Sequence, residues 1–482
     1  MTTRRDLIDA LSADVGRDHV AWRPEDLLLY EFDGTIEQSQ PYAVVFPADA
    51  NETAKVVRTC NRLGVAITPR GAGTGLSGGS VPQQRGVVIA TARMRRIIEI
   101  DPLNRIAVVE PGLPNIQLSE AAAAHGLFYA PDPSSQKACT IGGNVAENAG
   151  GPHCLALGVT TNHVLGMEIV TAAGDIVWLG GRVPDTIGYD LRGTFIGSEG
   201  TLGIATKVVV RLLPLPATVV TLLAIFDNVE QASATVSAVI AAGMVPAAME
   251  MMDRLTLQAA EAGLHCGYPP DAGAVLLIEL DGIADVVEPQ VERAKAECVA
   301  CGATEVRVAA DAHERELLWL GRKGAIGALG RLAPNYYILD GVVPRSKLVE
   351  VMGKVAAVGE KYGLQVANVF HAGDGNLHPN ILFDDRVPGA RERVLEAGGE
   401  IMRACVDAGG ALTGEHGVGY EKQRFMPWLY SETDLENMER LRPVFGNDGR
   451  FNPCKILPAG TGCGEMAQQA AALKAAGPDA YV

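Results

Sequence analysis

Short apolar runs separated by glycine-rich turns fill the chain from residue 43 to about residue 216. The runs AVVF, GVVIA, RIAVV, MEIVT and TKVVVRLL have the length of strands, and the segments between them are rich in Gly, Pro, Asn and Ser. This pattern predicts β-strands joined by tight turns. Two helices are predicted in this part, over residues 50–63 and 116–125.

A different pattern begins after Leu213-Pro214-Leu215-Pro216, where strands alternate with helices of about 15 residues. We predict strands over 220–226, 274–280 and 336–344, and helices over 228–242, 284–301 and 346–362. A helical stretch and a tail of small residues follow Thr413. We therefore expect an α+β protein with a lead-in over 1–40, a strand-rich domain over 41–216, an α/β domain over 217–410 and a C-terminal segment over 411–482.

The composition describes a globular, acidic protein. The 482 residues carry 41 Lys and Arg against 57 Asp and Glu, a formal net charge of −16, and 48% are hydrophobic. There is no basic block to neutralise a nucleic-acid backbone and no apolar stretch long enough for a bilayer span or a secretion signal. The nine scattered cysteines fit a reducing compartment and include no iron–sulfur ligand set. We expect a cytoplasmic protein with no nucleic-acid partner.

A glycine-rich loop, PRGAGTGLSGG at residues 69–79, contains the spacing G-x-G-x-x-G. A Rossmann turn needs a helix to open at the last of these glycines, and Pro82 leaves no room for one before the strand VVIAT. Without a helix, the loop can still turn its backbone N–H groups inward as an anion-binding nest, with the hydroxyls of Thr74 and Ser77 as further donors. On glycine content alone, a plain surface loop is an equal alternative.

Two further segments favour a phosphate-bearing ligand. They read PDPSSQKACTIGGNVAENAGG at residues 131–151 and GYDLRGTFIGSEGTLGI at residues 188–204. Glycines and hydroxyls spread in this way can line one long ligand. Taken in order, the three motifs resemble the FAD-binding domain of the vanillyl-alcohol oxidase and p-cresol methylhydroxylase (PCMH) superfamily, over roughly residues 40–216.

This resemblance implies a PCMH-type domain of two α/β subdomains with FAD extended between them. The pyrophosphate would lie on the loop from Arg70 to Gly75. The residues implied to bind FAD are Arg70, Gly71, Ala72, Gly73, Thr74, Gly75, Ser77, Gly78, Pro133, Thr140, Gly142, Gly143, Gly150, Glu199, Gly203 and Ile204. Some members tether FAD through a loop histidine, and residues 69–79 contain none. We therefore expect noncovalent FAD, with Cys139 as the alternative anchor.

The candidate reaction chemistry lies in the second half of the chain. His371 and His378 flank the turn sequence GDGN, which predicts a hairpin that brings the two imidazoles together. Glu415 and His416 stand side by side in TGEHGVG. Two imidazoles and a carboxylate suit a divalent metal with open positions, Zn²⁺ or Mn²⁺, and His416 would then act as a general base. Asp374 is an alternative ligand, although its place between two glycines indicates a turn.

The segments HAGDGNLHPNI, TGEHGVGYEK and WLGRKGAIGALGRLAPNYYILDGVVP resemble the D-2-hydroxyacid dehydrogenase branch of this superfamily. The branch includes D-lactate and D-2-hydroxyglutarate dehydrogenases and the FAD-binding subunit of glycolate oxidase, and the similarity to the last extends along nearly the whole chain. It implies a cap domain with an antiparallel sheet over the substrate. The implied roles are metal ligation by His371, His378 and Glu415, base catalysis by His416, a carboxylate clamp by Arg322 and hydrogen bonding to the substrate by Asn380.

The chain departs from its relatives at three positions. The 2-hydroxyglutarate enzymes hold a second carboxylate with a lysine and a threonine, and the matching residues here are Ile338 and Ile326. Neither can pair an anion, so a two-carboxylate substrate is disfavoured. Cys454 stands where relatives usually have glycine, in a turn that is expected to close on the flavin.

These features predict FAD-dependent oxidation of a small 2-hydroxy acid, glycolate or D-lactate, to the 2-oxo acid, with hydride transfer to flavin N5. Relatedness to glycolate oxidase implies a second flavin-domain subunit and an iron–sulfur subunit that pass electrons to a quinone, and hence a peripheral place at the inner membrane. Three alternatives stay open. They are an alkyl-glycerone-phosphate-synthase-like transferase, a D-2-hydroxyglutarate dehydrogenase and a noncatalytic flavoprotein subunit.

Overall fold

The computed structural model describes residues 3–184 and 187–458. The chain divides into two compact units: unit 1 comprises Met1–Gly150, Val159–Leu215 and Glu415–Val482, and unit 2 comprises Gly151–Gly158 and Pro216–Gly414. The small-residue tail noted in the sequence, residues 459–482, lies outside the described residues.

The secondary structure mixes strands and helices throughout. The strands are β1 Val20–Ala21, β2 Ala43–Val45, β3 Ile67–Arg70, β4 Val87–Ala90, β5 Ile97–Asp101, β6 Ile106–Val109, β7 Leu127–Phe128, β8 Val164–Thr171, β9 Ile176–Gly180, β10 Gly203–Arg211, β11 Leu213–Pro214, β12 Thr218–Phe226, β13 Ala248–Asp253, β14 Ala274–Gly282, β15 Glu305–Val308, β16 Asn335–Ile338, β17 Gly341–Val342, β18 Gln365–His371, β19 Asn376–Leu377 and β20 Pro379–Phe383. The α-helices are α1 Arg4–Val15, α2 Pro24–Leu27, α3 Ala50–Leu63, α4 Asn115–Ala123, α5 Ile141–Glu147, α6 Cys154–Leu157, α7 Leu191–Phe195, α8 Val229–Ala241, α9 Arg254–Leu264, α10 Ala284–Ala300, α11 Ala312–Ala328, α12 Leu348–Tyr362, α13 Ala390–Asp407, α14 Glu432–Glu439 and α15 Leu441–Val444.

In the described residues, unit 1 contains sheets of four and five strands and a two-stranded sheet of β7 and β11. In the first, of order β1-β2-β4-β3, the strands β2, β4 and β3 are parallel and α3 covers them with Val56, Val57 and Cys60. The helix α3 forms because the carboxylate of Asp49 caps its first turn and Gly64, at φ +70°, ends it. The second sheet, of order β5-β6-β10-β8-β9, is antiparallel. The glycine-rich loop is the crossover between the parallel neighbours β3 and β4, which places it at a sheet end.

The last described part of the chain, residues 415–458, belongs to unit 1 rather than to a separate element. Phe451 pairs with Ile67 of β3 through an isolated parallel bridge, and Phe445 joins the core of the second sheet. Asn447 donates its amide to the carbonyl oxygen of Thr201 at 2.7 Å. The C-terminal segment is therefore fixed to the unit that carries the glycine-rich loop.

Unit 2 is built on one antiparallel sheet of order β15-β12-β14-β13-β18-β19-β17, with β20 pairing β18 and β16. The long apolar strands β12 and β14 pair in register from Thr218↔Gly282 to Phe226↔Ala274. Buried side chains of α9 and α11 cover one face of the central strands. This arrangement places β13, β18 and α11, the carriers of the site described below, next to one another.

The predicted α+β class is confirmed, and five predicted helices correspond to α3, α4, α8, α10 and α12. Two features differ from expectation. Residues 151–158, expected in the strand-rich domain, group with unit 2. The helices α5, α9, α11 and α13 were not predicted. Among the described residues, no helix has both the length and the apolar character that a membrane span needs.

Candidate active site

The glycine-rich loop adopts a backbone that favours glycine. Gly73 and Gly78 lie at φ +73° and +77°, the left-handed region that turns neighbouring N–H groups to one side. A Cβ at Gly73 would lie 2.1 Å from Nη2 of Arg70. Residues 71–86 contain no helix, which confirms that the loop is not a Rossmann turn. The loop therefore has the shape of an anion nest.

Arg70, predicted to contact the pyrophosphate, also makes several contacts with the protein. Its guanidinium donates to the carbonyl oxygens of Phe32 at 2.7 Å and Leu29 at 3.5 Å, and its Cζ lies 5.6 Å from the ring centre of Tyr30. Burial lowers the pKa of Arg70, while Asp33 opposes that shift. The contacts of Arg70 thus hold the start of the loop, and the backbone N–H groups are the donors left for phosphate.

Helix α5 packs its first turn against this loop. Thr140 caps the helix by accepting a hydrogen bond at Oγ1 from the N–H of Gly143, 3.3 Å away. A Cβ at Gly71 would lie 2.5 Å from Oγ1 of Thr140, and a Cβ at Gly142 would lie 2.6 Å from Cβ of Pro111. Glycine at position 71 therefore permits the close approach of loop and helix, and glycine at position 142 permits the close approach of the helix to Pro111. The predicted residues of the first two motifs are brought together here.

Two buried polar atoms beside the loop have no hydrogen-bond partner among the described residues: Oγ of Ser77 and Oε2 of Glu147. Glu147 is the last residue of α5, and its Oε1 lies 3.9 Å from the position of a Cβ at Gly75. Burial raises the pKa of Glu147 well above its ordinary range, and the nearby Glu199 adds to the shift. Buried groups of this kind require a partner, and the hydroxyls and ring N–H groups of FAD can supply one. The chemistry of this loop therefore fits FAD.

The segment that follows His416 is anchored to the same loop. The N–H groups of Tyr420 and Glu421 donate to the carbonyl oxygen of Ser77 at 2.9 and 3.2 Å. The side chain of His416 is only 11% exposed. The candidate base His416 thus lies four residues before Tyr420, which contacts the predicted flavin loop directly.

Glu199 shapes the turn after His416. Its carboxylate accepts hydrogen bonds from the N–H groups of Val418 at 2.7 Å and Gly419 at 2.6 Å. Burial raises the pKa of Glu199 to about 7, although both backbone donors oppose the shift. A Cβ at Gly417 would lie 2.8 Å from Oε1 of Glu199. The carboxylate of Glu199, predicted to line FAD, is thus directed at this turn.

The final turn, residues 452–456, closes on the loop from the C-terminal side. The buried ammonium of Lys455 donates to the carbonyl oxygens of Gly78 at 2.5 Å and Val81 at 2.8 Å. Burial lowers the pKa of Lys455 to about 8. Asn452, Cys454 and Ile456 all have positive φ, at 43°, 59° and 67°. Three non-glycine residues in this region indicate backbone strain, which the contacts of Lys455 help to hold.

The other predicted cofactor residues lie on nearby elements. Gly203 and Ile204 begin β10, and the Ile204 side chain belongs to the core of the first sheet, so only its backbone could meet a cofactor. Pro133 starts a turn in which its carbonyl oxygen accepts from the N–H of Gln136. The remaining residues, Ala72, Thr74 and Gly150, lie in the loop and at the end of the second motif.

Unit 2 contains the paired histidines. His371 ends β18, His378 follows β19, and their rings lie 5.2 Å apart between centres at an angle of 88°. Nδ1 of His378 is 3.2 Å from the carbonyl oxygen of Leu339, and Nδ1 of His371 is 2.8 Å from Oε1 of Glu250. With both Nδ1 atoms directed at acceptors, Nε2 is the nitrogen through which either ring would bind a metal. The predicted hairpin is present, and Asp374 forms its turn by accepting from the N–H of Asn376.

Arg322 lies beside this histidine pair on α11. It is 2% exposed, its Nη2 forms an ion pair with Glu250, and the same atom is 3.4 Å from Nδ1 of His371. Its Nε has no hydrogen-bond partner among the described residues. Arg322 is therefore paired with Glu250, a residue that sequence reasoning missed, and its role as a carboxylate clamp stays a prediction.

Asn380 and Ile338 face each other across the β16–β20 pair. The amide nitrogen of Asn380 donates to the carbonyl oxygens of His378 at 2.6 Å and Ala367 at 3.3 Å, which leaves its Oδ1 buried without a partner in the described chain. Asn380 is thus oriented to accept, not donate, a hydrogen bond. Ile338 is buried, and Ile326 packs against the core of unit 2.

Asp340 fixes the point where the chain leaves unit 2. Its carboxylate accepts from the hydroxyl of Thr413 at 2.5 Å and from the N–H of Gly414 at 3.1 Å. Its Oδ1 also lies 3.9 Å from Nδ1 of His378. Gly414 is bonded directly to Glu415, so the predicted third ligand begins one peptide bond from a residue fixed beside the histidines.

Sequence reasoning missed Glu147, Glu250, Asp340 and Lys455. Each is a single charge within an apolar or glycine-rich run, and its partners lie far away in the chain. The only signal was the presence of a charged residue in an apolar segment, such as Glu250 in AMEMM.

Residues 215–456 match the family described as FAD linked oxidases, C-terminal domain, and residues 41–180 match the FAD binding domain family. The chain belongs to the FAD-linked oxidases. It is 45% identical over 464 residues, 96% of the chain and 93% of the relative, to glycolate oxidase subunit GlcD of Escherichia coli K12. It is 32% identical over 428 residues, 87% of the chain and 90% of the relative, to a D-lactate dehydrogenase of Anaerostipes hadrus.

Solved structures show the fold of this FAD-linked oxidase. Substrate-bound p-cresol methylhydroxylase superposes with a TM-score of 0.80 at 19% identity, covering 94% of this chain and 96% of its own. An alkyldihydroxyacetonephosphate synthase gives a TM-score of 0.72 at 16% identity, covering 93% and 84%. The superfamily and the PCMH-type fold predicted from the three motifs are confirmed.

Proposed function

We propose that this FAD-linked oxidase oxidises a small 2-hydroxy acid, glycolate or D-lactate, to the 2-oxo acid. The observation that carries the proposal is the buried Arg322, whose Nε–H lacks a partner in the described chain while its Nη2 lies 3.4 Å from His371. A carboxylate-binding group next to a pair of imidazoles matches a substrate that carries its hydroxyl on the carbon next to its carboxylate. The names of the two relatives support the same substrate class.

Substrate binding and proton transfer are assigned to different residues. Arg322 would bind the substrate carboxylate through its Nε–H, and Oδ1 of Asn380 would accept a hydrogen bond from the substrate. His416 would take the hydroxyl proton, held in place by the turn that Glu199 stabilises. FAD, bound noncovalently by the glycine-rich loop, supplies the acceptor for the two electrons. Cys139 is a poor covalent anchor because it is buried and burial raises its pKa.

A divalent metal, Zn²⁺ or Mn²⁺, fits the histidine pair. The ligand atoms of His371 and His378 lie within 4.8 Å of each other, and both rings have Nδ1 occupied by an acceptor. Glu415 is the proposed third ligand, supported by its direct bond to Gly414. Such a metal, when bound, lowers the pKa of a coordinated hydroxyl.

The apolar surroundings favour a monocarboxylate. Ile338 lies directly across from Asn380, and Ile326 lies one helical turn after Arg322. A second carboxylate beside these side chains would lose its hydration without gaining a partner, which disfavours D-2-hydroxyglutarate. The transferase alternative has only the likeness of fold at 16% identity in its favour.

The Escherichia coli relative is a subunit of glycolate oxidase, which supports a multisubunit assembly for this chain. We propose a second flavin-domain subunit and an iron–sulfur subunit as its partners, with the assembly in the cytoplasm at the inner membrane. Electrons would leave through these partners, because the cysteines among the described residues are dispersed over both units.

The test is an anaerobic absorbance spectrum of the FAD-loaded protein during addition of glycolate, D-lactate and D-2-hydroxyglutarate in separate runs. We expect one of the first two acids to bleach the flavin bands. His416→Ala should slow bleaching by about 10²–10⁴-fold with FAD still bound, as expected for loss of a general base. His313→Ala, an exposed histidine on α11, is the control and should bleach at the normal rate. Flavin bands that no acid bleaches would refute the proposal.

A further inference from the structure

We propose that Glu250 is a positioning residue for the candidate metal site: it orients His371 for metal binding and holds Arg322 for the substrate carboxylate. The inference rests on the proposed function and assigns a role that the motifs did not indicate. Glu250 lies in β13, is 0% exposed, and contacts both other residues with one carboxylate.

The strand register brings Glu250 to His371. In the antiparallel pair of β13 and β18, Glu250 is directly opposite His371, with Met251 opposite Phe370. Directly opposed residues have Cβ atoms about 4.5–5.5 Å apart, within reach of a carboxylate and a ring on the same face. The contact is therefore fixed by backbone pairing and does not depend on one flexible side chain.

The distances determine which nitrogen of His371 carries a proton. Both carboxylate oxygens of Glu250 lie near Nδ1, at 2.8 and 2.9 Å. Arg322 is also 3.4 Å from Nδ1, but a guanidinium can only donate, so the closer carboxylate is the partner that Nδ1–H requires. A proton on Nδ1 leaves the lone pair on Nε2, which is the form of imidazole that binds a metal.

The same carboxylate fixes Arg322. The ion pair with Glu250 occupies Nη2 and leaves Nε without a partner in the described residues. An uncompensated guanidinium beside His371 would repel a metal cation, and Glu250 neutralises this charge. With Glu250 bound to both side chains, His371 would be oriented toward the metal and Arg322 toward the substrate carboxylate.

Metal affinity tests this role without relying on turnover. We would measure Zn²⁺ and Mn²⁺ dissociation constants of the FAD-loaded full chain by competition with a chromogenic chelator. Glu250→Gln keeps the shape and one acceptor but loses the charge, and it should weaken metal binding by about 10–100-fold, the usual effect of removing such a carboxylate. Glu250→Asp keeps the charge opposite Arg322 but is one methylene shorter, so it should also weaken metal binding. Because it keeps the charge, this variant still tests the role of Glu250 if Glu250→Gln fails to fold.

Unit 2 offers a matched control in Glu279. This buried carboxylate lies on β14 of the same sheet and also contacts an imidazole, Nε2 of His153, at 3.2 Å. Glu279→Gln should leave metal affinity within about threefold of the unaltered protein. Arg322→Met should likewise retain the metal while raising the KM for the hydroxy acid.

Each outcome decides the role of Glu250. Normal metal affinity in both Glu250 variants would overturn it. Equal weakening by Glu250→Gln, Glu279→Gln and Arg322→Met would also overturn it, because the effect would then reflect general disturbance of the sheet. If the unaltered protein binds neither metal, both the metal site and the role of Glu250 fail, whereas flavin bleaching by a 2-hydroxy acid would still support the oxidase function.

Discussion

Replacement of Gly417 by alanine tests whether Glu199 holds the turn next to His416. Gly417 has φ +86°, and an added Cβ would lie 2.3 Å from Oε2 of Glu147 and 2.8 Å from Oε1 of Glu199. Left-handed backbone costs an alanine about 1–2 kcal/mol. The Cβ must also displace the Glu199 carboxylate from two backbone N–H groups, each worth about 1.5–3 kcal/mol. We expect a total loss of about 3–6 kcal/mol, since displacement need not break both bonds completely.

The matched control is Gly449→Ala in the same C-terminal segment. Gly449 has φ +97°, and no atom of the described residues lies within 4 Å of an added Cβ, so only the backbone cost applies there, about 1–2 kcal/mol. Urea unfolding of both variants, followed by flavin and tryptophan fluorescence, gives the free-energy difference, and flavin bleaching gives the rate. Gly417→Ala should be at least 2 kcal/mol less stable than the control and slower in bleaching. Equal stability and equal rates would refute the role assigned to Glu199.

Two further predictions concern the turn over residues 452–456. Cys454→Gly should stabilise the protein by about 0.5–1 kcal/mol, because relief of left-handed strain of about 1–2 kcal/mol exceeds the added chain entropy of glycine; a lower thermal midpoint would contradict this. Lys455 has its pKa lowered to about 8 by burial. Between about pH 8 and 10.5, Lys455 is therefore protonated in the unfolded chain but mostly neutral in the folded protein. The contribution of Lys455 to stability is the unfolding free energy of the normal protein minus that of Lys455→Met. This difference should rise by about 1.4 kcal/mol per pH unit in this window. A difference that stays flat with pH would contradict the assignment.

Much of the fold could be predicted because its signals are local. Helix α3 has the predicted bounds, since Asp49 and Gly64 mark its ends within the chain itself. The hairpin between His371 and His378 was likewise specified by the turn residues between them. The glycine-rich loop was distinguished from a Rossmann turn because the sequence leaves no space for a helix after it, which is also a local property.

The contacts that could not be predicted from the sequence join residues that lie far apart in the chain. Lys455 meets Gly78 across 377 positions, and Glu250 meets His371 across 121. No periodicity within either segment encodes such a partner, because the register of a sheet is set by packing on both of its faces. The protein contacts of Arg70 were missed for a related reason: nothing near Arg70 in the sequence indicates that its guanidinium also donates to the carbonyl oxygens of Phe32 and Leu29.

The pair of Glu250 and Arg322 is better explained by function than by stability. Taking both charges out of water costs several kcal/mol per ion, and apolar residues of similar volume in such places are often neutral or stabilising. The surroundings, with Met252 and Leu277 in the same core, would accept an apolar pair. A ligand carboxylate would offset this cost by completing the hydrogen bonds of the guanidinium, and Nε of Arg322 has no partner among the described residues. Because a buried cation alone would repel a metal at His371, the role proposed for Glu250 is to let the two proposed binding functions lie side by side.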